Sequence, residues 1–292
     1  MLANGTESWA RQYGEWATAL NATGRKMIFS CSWAVYFTEC AARHPPSAWV
    51  SQCGPVPWTD HYIADKCHMW RYGDDLRPRW GTGNPSQAWG GTGGGGVGDV
   101  IAYAASFWAS SFRAVSGVGA FMDPDFLVVG CPTDRPCEGF SQATGSPPLT
   151  LEEQRTQMAV WCTWGAPLII GSDIRTISAE ALDILKNKAA IAIDQDPLGV
   201  PARLVASAPY GVHVWARDLY NGDVAVVMVN MGAKSATAAV LIGDLVCATC
   251  ARAGSTLDVW GGAVTSVKGT ITRTGVPSHA AVFLRFTPAK TQ

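Results

Sequence analysis

The sequence predicts an α/β fold in two parts: four β/α units over residues 1–199, and an antiparallel β-sandwich over residues 200–292. Up to residue 199, segments with apolar residues at helical spacing alternate with short apolar runs. Several of these runs end in polar or acidic residues, as strands of a (β/α) barrel do at the face that carries the active site. After residue 200 the apolar pattern changes to a period of two, which is typical of half-buried strands.

The first unit begins with a helix and continues into a strand. The apolar positions at helical spacing are Trp9, Tyr13, Trp16 and Leu20. Gly24 follows them, and glycine commonly ends a helix because it adopts the left-handed conformation without steric cost. The apolar run over residues 27–31 predicts a buried strand, and Ser32 comes directly after it.

The second unit contains a short strand that ends at Trp70 and leads into Arg71, Asp74 and Asp75. Residues 80–98 then form a glycine-rich segment. Because no G-K-S/T sequence follows the glycines, this segment is not a phosphate-binding loop. We interpret it as a flexible insertion.

The third unit joins an amphipathic stretch, residues 100–115, to an apolar run that ends at Asp123 and Asp125. Pro124 lies between the two acids, fixes the turn and directs one carboxylate outward. A helix follows as the start of the fourth unit. Thr150 is its expected N-cap, and Glu153 completes a capping box.

The fourth unit continues with a predicted strand over residues 167–171, which ends at Ser172 and Asp173. For Asp173 we favour a structural role, capping the helix that follows, over a catalytic one.

A last helix is predicted over residues 178–188. Strands of the second part are predicted over residues 212–217, 224–229, 257–260 and 281–286, with a turn at residues 220–223.

A guanidinium beside two carboxylates marks the candidate site. A carboxylic acid donates a proton at neutral pH only when its pKa is raised, by burial or by a second carboxylate. Taken alone, the run Arg71 to Asp75 is more typical of a surface ion pair. Ser32, Asp75 and Asp125 all follow predicted strands, however, and parallel strands end at the same face of a barrel. Together they predict an active site there.

Composition limits the classes of ligand. The net charge of −1 provides no basic surface for nucleic acid or for an anionic membrane. The longest apolar run, residues 158–171, is shorter than the roughly 20 residues that span a bilayer. A neutral ligand is therefore expected. Thirteen tryptophans suit stacking against sugar rings, although most of them are expected in the core.

Nine cysteines favour an oxidising compartment, and no Cys/His cluster has the spacing of a metal site. Close pairs predict disulfides, and they are Cys131 with Cys137, Cys247 with Cys250, and Cys40 with Cys53. The C-x-x-C pair could instead be a redox motif, but it lies in the β-rich part, so a structural bridge is favoured. Cys162 is the expected unpaired and buried cysteine. Sequons at Asn4 and Asn21 agree with secretion.

Six motifs occur in a characteristic order. They are residues 19–25 (ALNATGR), 30–33 (SCSW), Trp70-Arg71 with Asp75, Asp123-Pro124-Asp125, residues 166–175 (APLIIGSDIR), and residues 187–188 with 195–199 (NK and QDPLG). In these motifs the chain resembles the α-galactosidase and α-N-acetylgalactosaminidase (melibiase) family. The resemblance implies the last four units of a (β/α)8 barrel, a C-terminal β-sandwich, and retaining hydrolysis of terminal α-galactosides without metal or organic cofactor.

The resemblance also implies a role for single residues. Asp75 matches the general acid/base, and Arg71 the arginine near the 2-position of the sugar. Asp125 matches a late active-site aspartate, and Phe126 stands where methionine is more usual. The remaining matches are a Cys31–Cys67 disulfide beside the pocket, glycosylation of Asn21, and sugar-lining positions at Ser32, Val35 and Tyr36. Ser32 follows the pattern of members that accept N-acetylgalactosamine, and Val35 is intermediate in size.

One departure concerns the nucleophile. The family's nucleophilic aspartate, in a K-x-D-like strand, lies just before the part that matches here. The first residues also lack a signal-peptide pattern. We therefore expect the chain to lack the beginning of a longer glycosidase. That glycosidase is expected to be secreted or to reside in a lysosome or vacuole, and its full-length form is compatible with a homodimer. The alternative is a non-catalytic or vestigial galactoside-binding protein.

Overall fold

The computed structural model describes residues 5–32, 63–82, 94–107, 113–132, 137, 147–207, 211–246 and 252–289. Within them, a small parallel sheet flanked by helices precedes an antiparallel β domain. The elements of the first part are α1 (Gly5–Ala22), β1 (Ser30–Cys31), β2 (Met69–Arg71), α2 (Val97–Phe107), α3 (Arg113–Val115), β3 (Phe121–Asp123), α4 (Leu151–Trp164), α5 (Ala179–Leu185) and α6 (Lys188–Asp194).

The parallel sheet has the order β1-β2-β3. Its register pairs Cys31 with Trp70, and Arg71 with Asp123. An isolated parallel bridge between Leu127 and Ile170 continues the arrangement. The carboxyl ends of β2 and β3 therefore lie side by side, as the barrel hypothesis requires.

Three of the predicted strands are wrong in extent. The strand predicted over residues 257–260 is observed at Ala253–Asp258. Of residues 27–31 only Ser30–Cys31 is a strand, and Ile28 is 78% exposed, because β1 is an edge of the described sheet and pairs only with β2. The strand predicted over residues 167–171 is reduced to the bridge at Ile170. The segment that pairs with Ile170 contains Leu127 and leaves the extended conformation at Asp125. The φ of 80° at Asp125 interrupts a regular ladder of hydrogen bonds.

Helix α4 begins as predicted. The Thr150 side chain accepts from the backbone of Glu153, and the Glu153 side chain accepts from the backbone of Thr150. Most of α4 is buried because it packs against the β domain and against α5 and α6. Asp173 does not cap the next helix. It accepts hydrogen bonds from Arg175, which lower the pKa of this carboxyl to about 2, while Ser178 caps α5.

The β domain is an eight-stranded antiparallel arrangement in the order β4-β5-β6-β11-β8-β9-β10-β7. Its strands are β4 (Arg203–Ala206), β5 (Val212–Asp218), β6 (Val224–Asn230), β7 (Ala236–Leu241), β8 (Ala253–Asp258), β9 (Val264–Lys268), β10 (Thr270–Val276) and β11 (Ala281–Pro288), with α7 (Ile242–Leu245) after β7. The sequence pattern did not predict β4, β7, β9 or β10, because small and polar residues there weaken the alternation.

Strand β6 is buried on both faces. Val227 belongs to the core shared with the parallel sheet and α4. Val226 and Met228 belong to a second core inside the β domain. Burial on both faces explains why this strand is a continuous apolar run rather than an alternating one.

A buried arginine links the β domain to the helices. Arg217 of β5 donates to the carbonyls of Cys162, Ile193, Asp194 and Val200. Three of these carbonyls are at or near the C-termini of α4 and α6, where backbone acceptors lack helical partners and a cation is favoured. Cys162 itself is unpaired and buried, as predicted.

Candidate active site

Arg71, the last residue of β2, is the centre of the candidate site. Its Nη2 atom lies 2.8 Å from Oδ2 of Asp125 and 3.7 Å from Oδ1 of Asp75. The same nitrogen donates to the carbonyl of Asp74 at 3.0 Å. One guanidinium thus joins the ends of two adjacent strands and stands between two carboxylates, which is the arrangement that the strand-end pattern predicted.

Asp125 is held in an unusual backbone conformation. Its φ of 80° is in the left-handed region, which costs free energy for a residue other than glycine. Leu76 N–H donates to its Oδ2, and Phe126 N–H to its Oδ1, both at 2.8 Å. The indole N–H of Trp161 donates to its carbonyl at 2.9 Å. With Arg71, these contacts occupy both carboxylate oxygens and fix the residue.

Asp123 supports Asp125 from behind. Its Oδ1 accepts from the backbone N–H of Asp125 at 2.8 Å. Burial raises the pKa of the Asp123 carboxyl above its ordinary value, and the nearby charge of Arg71 opposes this shift. Asp123 is therefore a buried residue that holds the backbone of Asp125 in place.

Asp75 differs from the other acids because it faces solvent. Its side chain is 67% exposed, and its carboxylate lies 3.7 Å from Arg71 and 4.0 Å from Arg77. Its backbone N–H donates to Oδ1 of Asp74 at 2.8 Å. The burial that we expected for an acid in this run is therefore not provided to Asp75 by the described residues. The carboxylate is accessible to solvent.

The glycine-rich segment contacts the loop of Asp75. Leu76 and Gly95 form a bridge, and Arg77 N–H donates to the carbonyl of Gly95 at 2.8 Å. A Cβ added to Gly94 would lie 2.2 Å from the carbonyl oxygen of Asp75, so only glycine permits this approach. Residues 83–93 of the predicted insertion lie outside the described residues.

The other predicted site residues have different outcomes. Ser32 is half-buried directly after β1, and Phe126 is 44% exposed beside Asp125. Asn21 is exposed near the end of α1. The disulfides Cys31–Cys67 and Cys131–Cys137 are present. The residues outside the described part are Val35, Tyr36 and the predicted pairs Cys247 with Cys250 and Cys40 with Cys53.

Sequence reasoning missed three residues that hold the site. Leu76 and Trp161 donate hydrogen bonds to Asp125, as described above. Gln157 of α4 donates to the carbonyl of Phe126 at 3.0 Å and accepts from the backbone of Val128 at 2.9 Å. The position of Gln157 directly before the apolar run over residues 158–162 was a usable signal, because a buried polar side chain needs partners.

Neither a metal site nor a membrane helix is found in the part of the chain that is described. Its His, Cys, Asp and Glu residues form no group of three or more that could hold a metal ion. None of its helices is long and apolar enough to cross a membrane.

Comparison with known proteins identifies relatives of both parts. A family model described as alpha galactosidase A matches residues 2–196, and one described as the alpha galactosidase C-terminal beta sandwich domain matches residues 210–286. Human alpha-N-acetylgalactosaminidase is 33% identical over 76% of this chain and 43% of its own length. Human alpha-galactosidase A is 31% identical over 80% of this chain and 45% of its own length. The chain therefore spans less than half of these relatives.

Solved structures share the fold. Alpha-galactosidase I from Mortierella vinacea superposes with a TM-score of 0.75 at 21% identity, covering 100% of this chain and 66% of that chain. The alpha-galactosidase of Saccharomyces cerevisiae with raffinose gives 0.72 at 19% identity, covering 98% and 69%. These likenesses confirm the predicted fold class of a partial (β/α)8 barrel followed by an antiparallel β-sandwich.

Proposed function

Because this chain belongs to the α-galactosidase (melibiase) family of glycoside hydrolases, we propose that it carries the acid/base part of an active site that cleaves terminal α-linked galactose, and also α-linked N-acetylgalactosamine. The observation that carries the proposal is the position of Arg71 between Asp75 and Asp125 at the ends of β2 and β3. The substrate is an oligosaccharide, glycolipid or glycoprotein with such a terminal sugar.

Asp75 is the proposed general acid and base. In the first step its carboxyl donates a proton to the glycosidic oxygen as the bond from that oxygen to the anomeric carbon breaks, and a second carboxylate bonds to the anomeric carbon. In the second step the ionised Asp75 accepts a proton from water, whose oxygen displaces the second carboxylate. Two displacements at the same carbon retain the α configuration.

Arg71 is the proposed binder of the sugar near its 2-position. A guanidinium presents several donors in a fixed plane, and it can hold a hydroxyl oxygen while it contacts a carboxylate. Asp125 orients this plane through the 2.8 Å ion pair. Ser32 and Val35 are proposed to line the same position and to admit an N-acetyl group.

The nucleophile is proposed to come from outside the described residues. Asp125 is a poor candidate because Arg71, Leu76 and Phe126 already occupy its carboxylate oxygens. Asp123 is a poor candidate because it is buried, with a raised pKa. The family places this carboxylate in a K-x-D-like strand that precedes the matched motifs, and we propose that such a strand completes the site.

A non-catalytic galactoside-binding protein is the second candidate function. It is favoured because the carboxylate oxygens of Asp125 are occupied, which leaves Asp75 as the accessible carboxylate. A site with one accessible carboxylate binds a sugar without hydrolysing it, since retaining hydrolysis needs two. For either function we propose a secreted or lysosome-like compartment, which the disulfides Cys31–Cys67 and Cys131–Cys137 support.

Chemical rescue separates these candidates. A retaining glycosidase without its nucleophile can still use azide, which attacks the anomeric carbon of an α-galactoside from the opposite face and gives β-galactosyl azide. We expect the chain to form this product from nitrophenyl α-galactoside only when azide is added. Binding of galactose without azide product supports the second candidate. Turnover without azide contradicts the proposed source of the nucleophile, and neither binding nor product contradicts both functions.

A further inference from the structure

We propose that His279 of the β domain is a positioning residue for the acid/base loop, acting through its ring contact with Trp80. The inference rests on the proposed function in one respect, that Asp75 is the acid/base. Neither the motifs nor the strand-end pattern pointed to His279, which lies between β10 and β11, far from Asp75 in sequence.

Trp80 occupies a slot between α2 and the β domain. Its ring stacks on the imidazole of His279, with centroids 4.4 Å apart and planes 11° apart. On the α2 side, a Cβ added to Gly98 would lie 2.6 Å from the indole, so the indole packs directly on backbone. The carbonyl of Trp80 accepts from Gly98 N–H at 2.8 Å, and the residue is 6% exposed.

His279 is itself held firmly. Its Nδ1 lies 2.6 Å from Oε1 of Glu153, and its carbonyl accepts from the hydroxyl of Thr156 at 2.7 Å. Glu153 is fixed in turn by the capping box with Thr150. The φ of His279 is 62°, a conformation that is costly for this residue type and persists when surrounding contacts impose it. The imidazole is therefore a rigid support.

The loop from Asp75 to Trp80 is fixed at both ends. At one end, Leu76 N–H donates to Asp125. At the other end, Trp80 is packed against His279. The Asp75 carboxylate contacts Arg71 and Arg77 only at 3.7 and 4.0 Å, longer than hydrogen bonds. Its position is consequently set by the backbone of the loop, which the contact at Trp80 fixes together with the hydrogen bond from Leu76 to Asp125 and the bridge between Leu76 and Gly95.

The test separates ring contact from general stability. His279→Asn removes the ring, while asparagine tolerates a positive φ and keeps a donor for Glu153. Ser278→Ala is the matched control. Ser278 precedes His279 in the loop between β10 and β11, and its hydroxyl donates to the carbonyl of Gly232, so the substitution removes a hydrogen bond from this loop and keeps the contact between His279 and Trp80. His279→Phe keeps a ring and is the rescue variant. Amide hydrogen exchange by mass spectrometry is measured for residues 75–82 and for β6 of the full chain.

We expect His279→Asn to speed exchange in residues 75–82 by about tenfold with β6 unchanged. Ser278→Ala should leave residues 75–82 as in the parent chain, and His279→Phe should restore protection there. The proposal is overturned if residues 75–82 are unaffected by His279→Asn, if Ser278→Ala has the same effect, or if β6 exchanges faster as well.

An azide-dependent reaction supplies the catalytic readout. If His279 positions the acid, His279→Asn should slow a substrate with a poor leaving group about tenfold more than nitrophenyl α-galactoside, because only the former needs proton donation. Equal losses for both substrates overturn the link to acid catalysis. Absence of reaction in every variant, with the local exchange change present, contradicts the proposed function and leaves the positioning by His279 supported.

Discussion

Arg71 and Asp125 form an ion pair of 2.8 Å between the ends of two adjacent parallel strands, although 53 residues lie between them in the sequence. The register of β2 and β3, which pairs Arg71 with Asp123, brings them together. The pair is largely removed from water, with side-chain exposures of 19% and 9%. The same guanidinium also faces Asp75, which is mostly exposed, so one cation has a buried and an accessible acid partner.

Because Asp125 is buried and Asp75 is exposed, replacing each with asparagine should change the free energy of unfolding by different amounts. Asp125→Asn should destabilise the chain by about 1–3 kcal/mol, because an amide cannot accept from Arg71, Leu76 and Phe126 as a carboxylate does. Asp75→Asn, the matched control, should change the free energy of unfolding by less than about 0.5 kcal/mol, since exposed ion pairs contribute little. Urea unfolding at neutral pH measures both. Equal losses of unfolding free energy in the two variants contradict the assignment of Asp125 as the buried partner of Arg71 and of Asp75 as the exposed one.

Asp194 predicts a fall in stability as the pH rises. Burial raises the pKa of this carboxyl to about 6 from its ordinary value of 3.8. Because the folded state holds the proton more tightly than the unfolded state, the stabilisation is complete below about pH 4 and is lost as the pH rises through about 6. The shift corresponds to about 3 kcal/mol.

Asp194→Asn tests this assignment. The variant keeps an acceptor for the Gln195 side chain, which contacts the Asp194 carboxylate, and cannot ionise. We expect the difference in unfolding free energy between the variant and the parent chain to grow in favour of the variant between pH 4 and pH 6.5. Asp218→Asn, at a half-exposed acid of β5, is the control. A difference that does not vary with pH contradicts the raised pKa.

Specificity at the 2-position predicts an effect of Val35→Ala. Family members that accept N-acetylgalactosamine carry a serine and an alanine where this chain has Ser32 and Val35. If Val35 lines the 2-position as proposed, removing two methyl groups from its side chain changes discrimination by about 1–3 kcal/mol. The acetamido substrate should then gain about tenfold or more relative to the galactoside. The azide-dependent rates with the two nitrophenyl glycosides measure this ratio. An unchanged ratio in Val35→Ala contradicts a role at the 2-position.

The sequence predicted which residues meet at the site better than it predicted how they are held. Strand-end acids meet because parallel strands share an orientation, so Arg71, Asp75 and Asp125 could be grouped without coordinates. The left-handed backbone of Asp125 and its hydrogen bond from Trp161 depend on tertiary packing, which has no local pattern. The same limit explains His279, whose stacking on Trp80 joins segments about two hundred residues apart.

Local chemistry also decided which elements were predicted. The Thr150 capping box and the alternating strands of the β domain have short-range signals. Strands β7 and β10 have none, because their exposed faces carry small and polar residues, and they are defined by pairing with each other. The strand predicted over residues 27–31 was longer than the observed one, because apolar composition alone does not reveal that a strand lies at the edge of a sheet.

The apolar edge of the parallel sheet predicts self-association of the chain in isolation. Strand β1 pairs only with β2 in the described sheet, and Ile28 before it is 78% exposed. Ile169 and Ile170, at the bridge with Leu127, are 39% and 46% exposed. Unpaired strand edges with apolar side chains are templates for pairing with another chain. We therefore expect the chain alone to self-associate through this edge as its concentration rises.

Ile28→Lys should oppose this association, because a charged side chain beside an edge strand disfavours edge-to-edge pairing. We expect a larger monomeric fraction in sedimentation velocity, with the concentration dependence of the parent chain reduced. Val264→Lys is the matched control, since it places the same charge at an exposed position of β9, away from the parallel sheet. A monomeric parent chain with cooperative unfolding and a near-UV circular dichroism signal contradicts the prediction. An equal gain in both variants would assign the effect to net charge instead of the sheet edge.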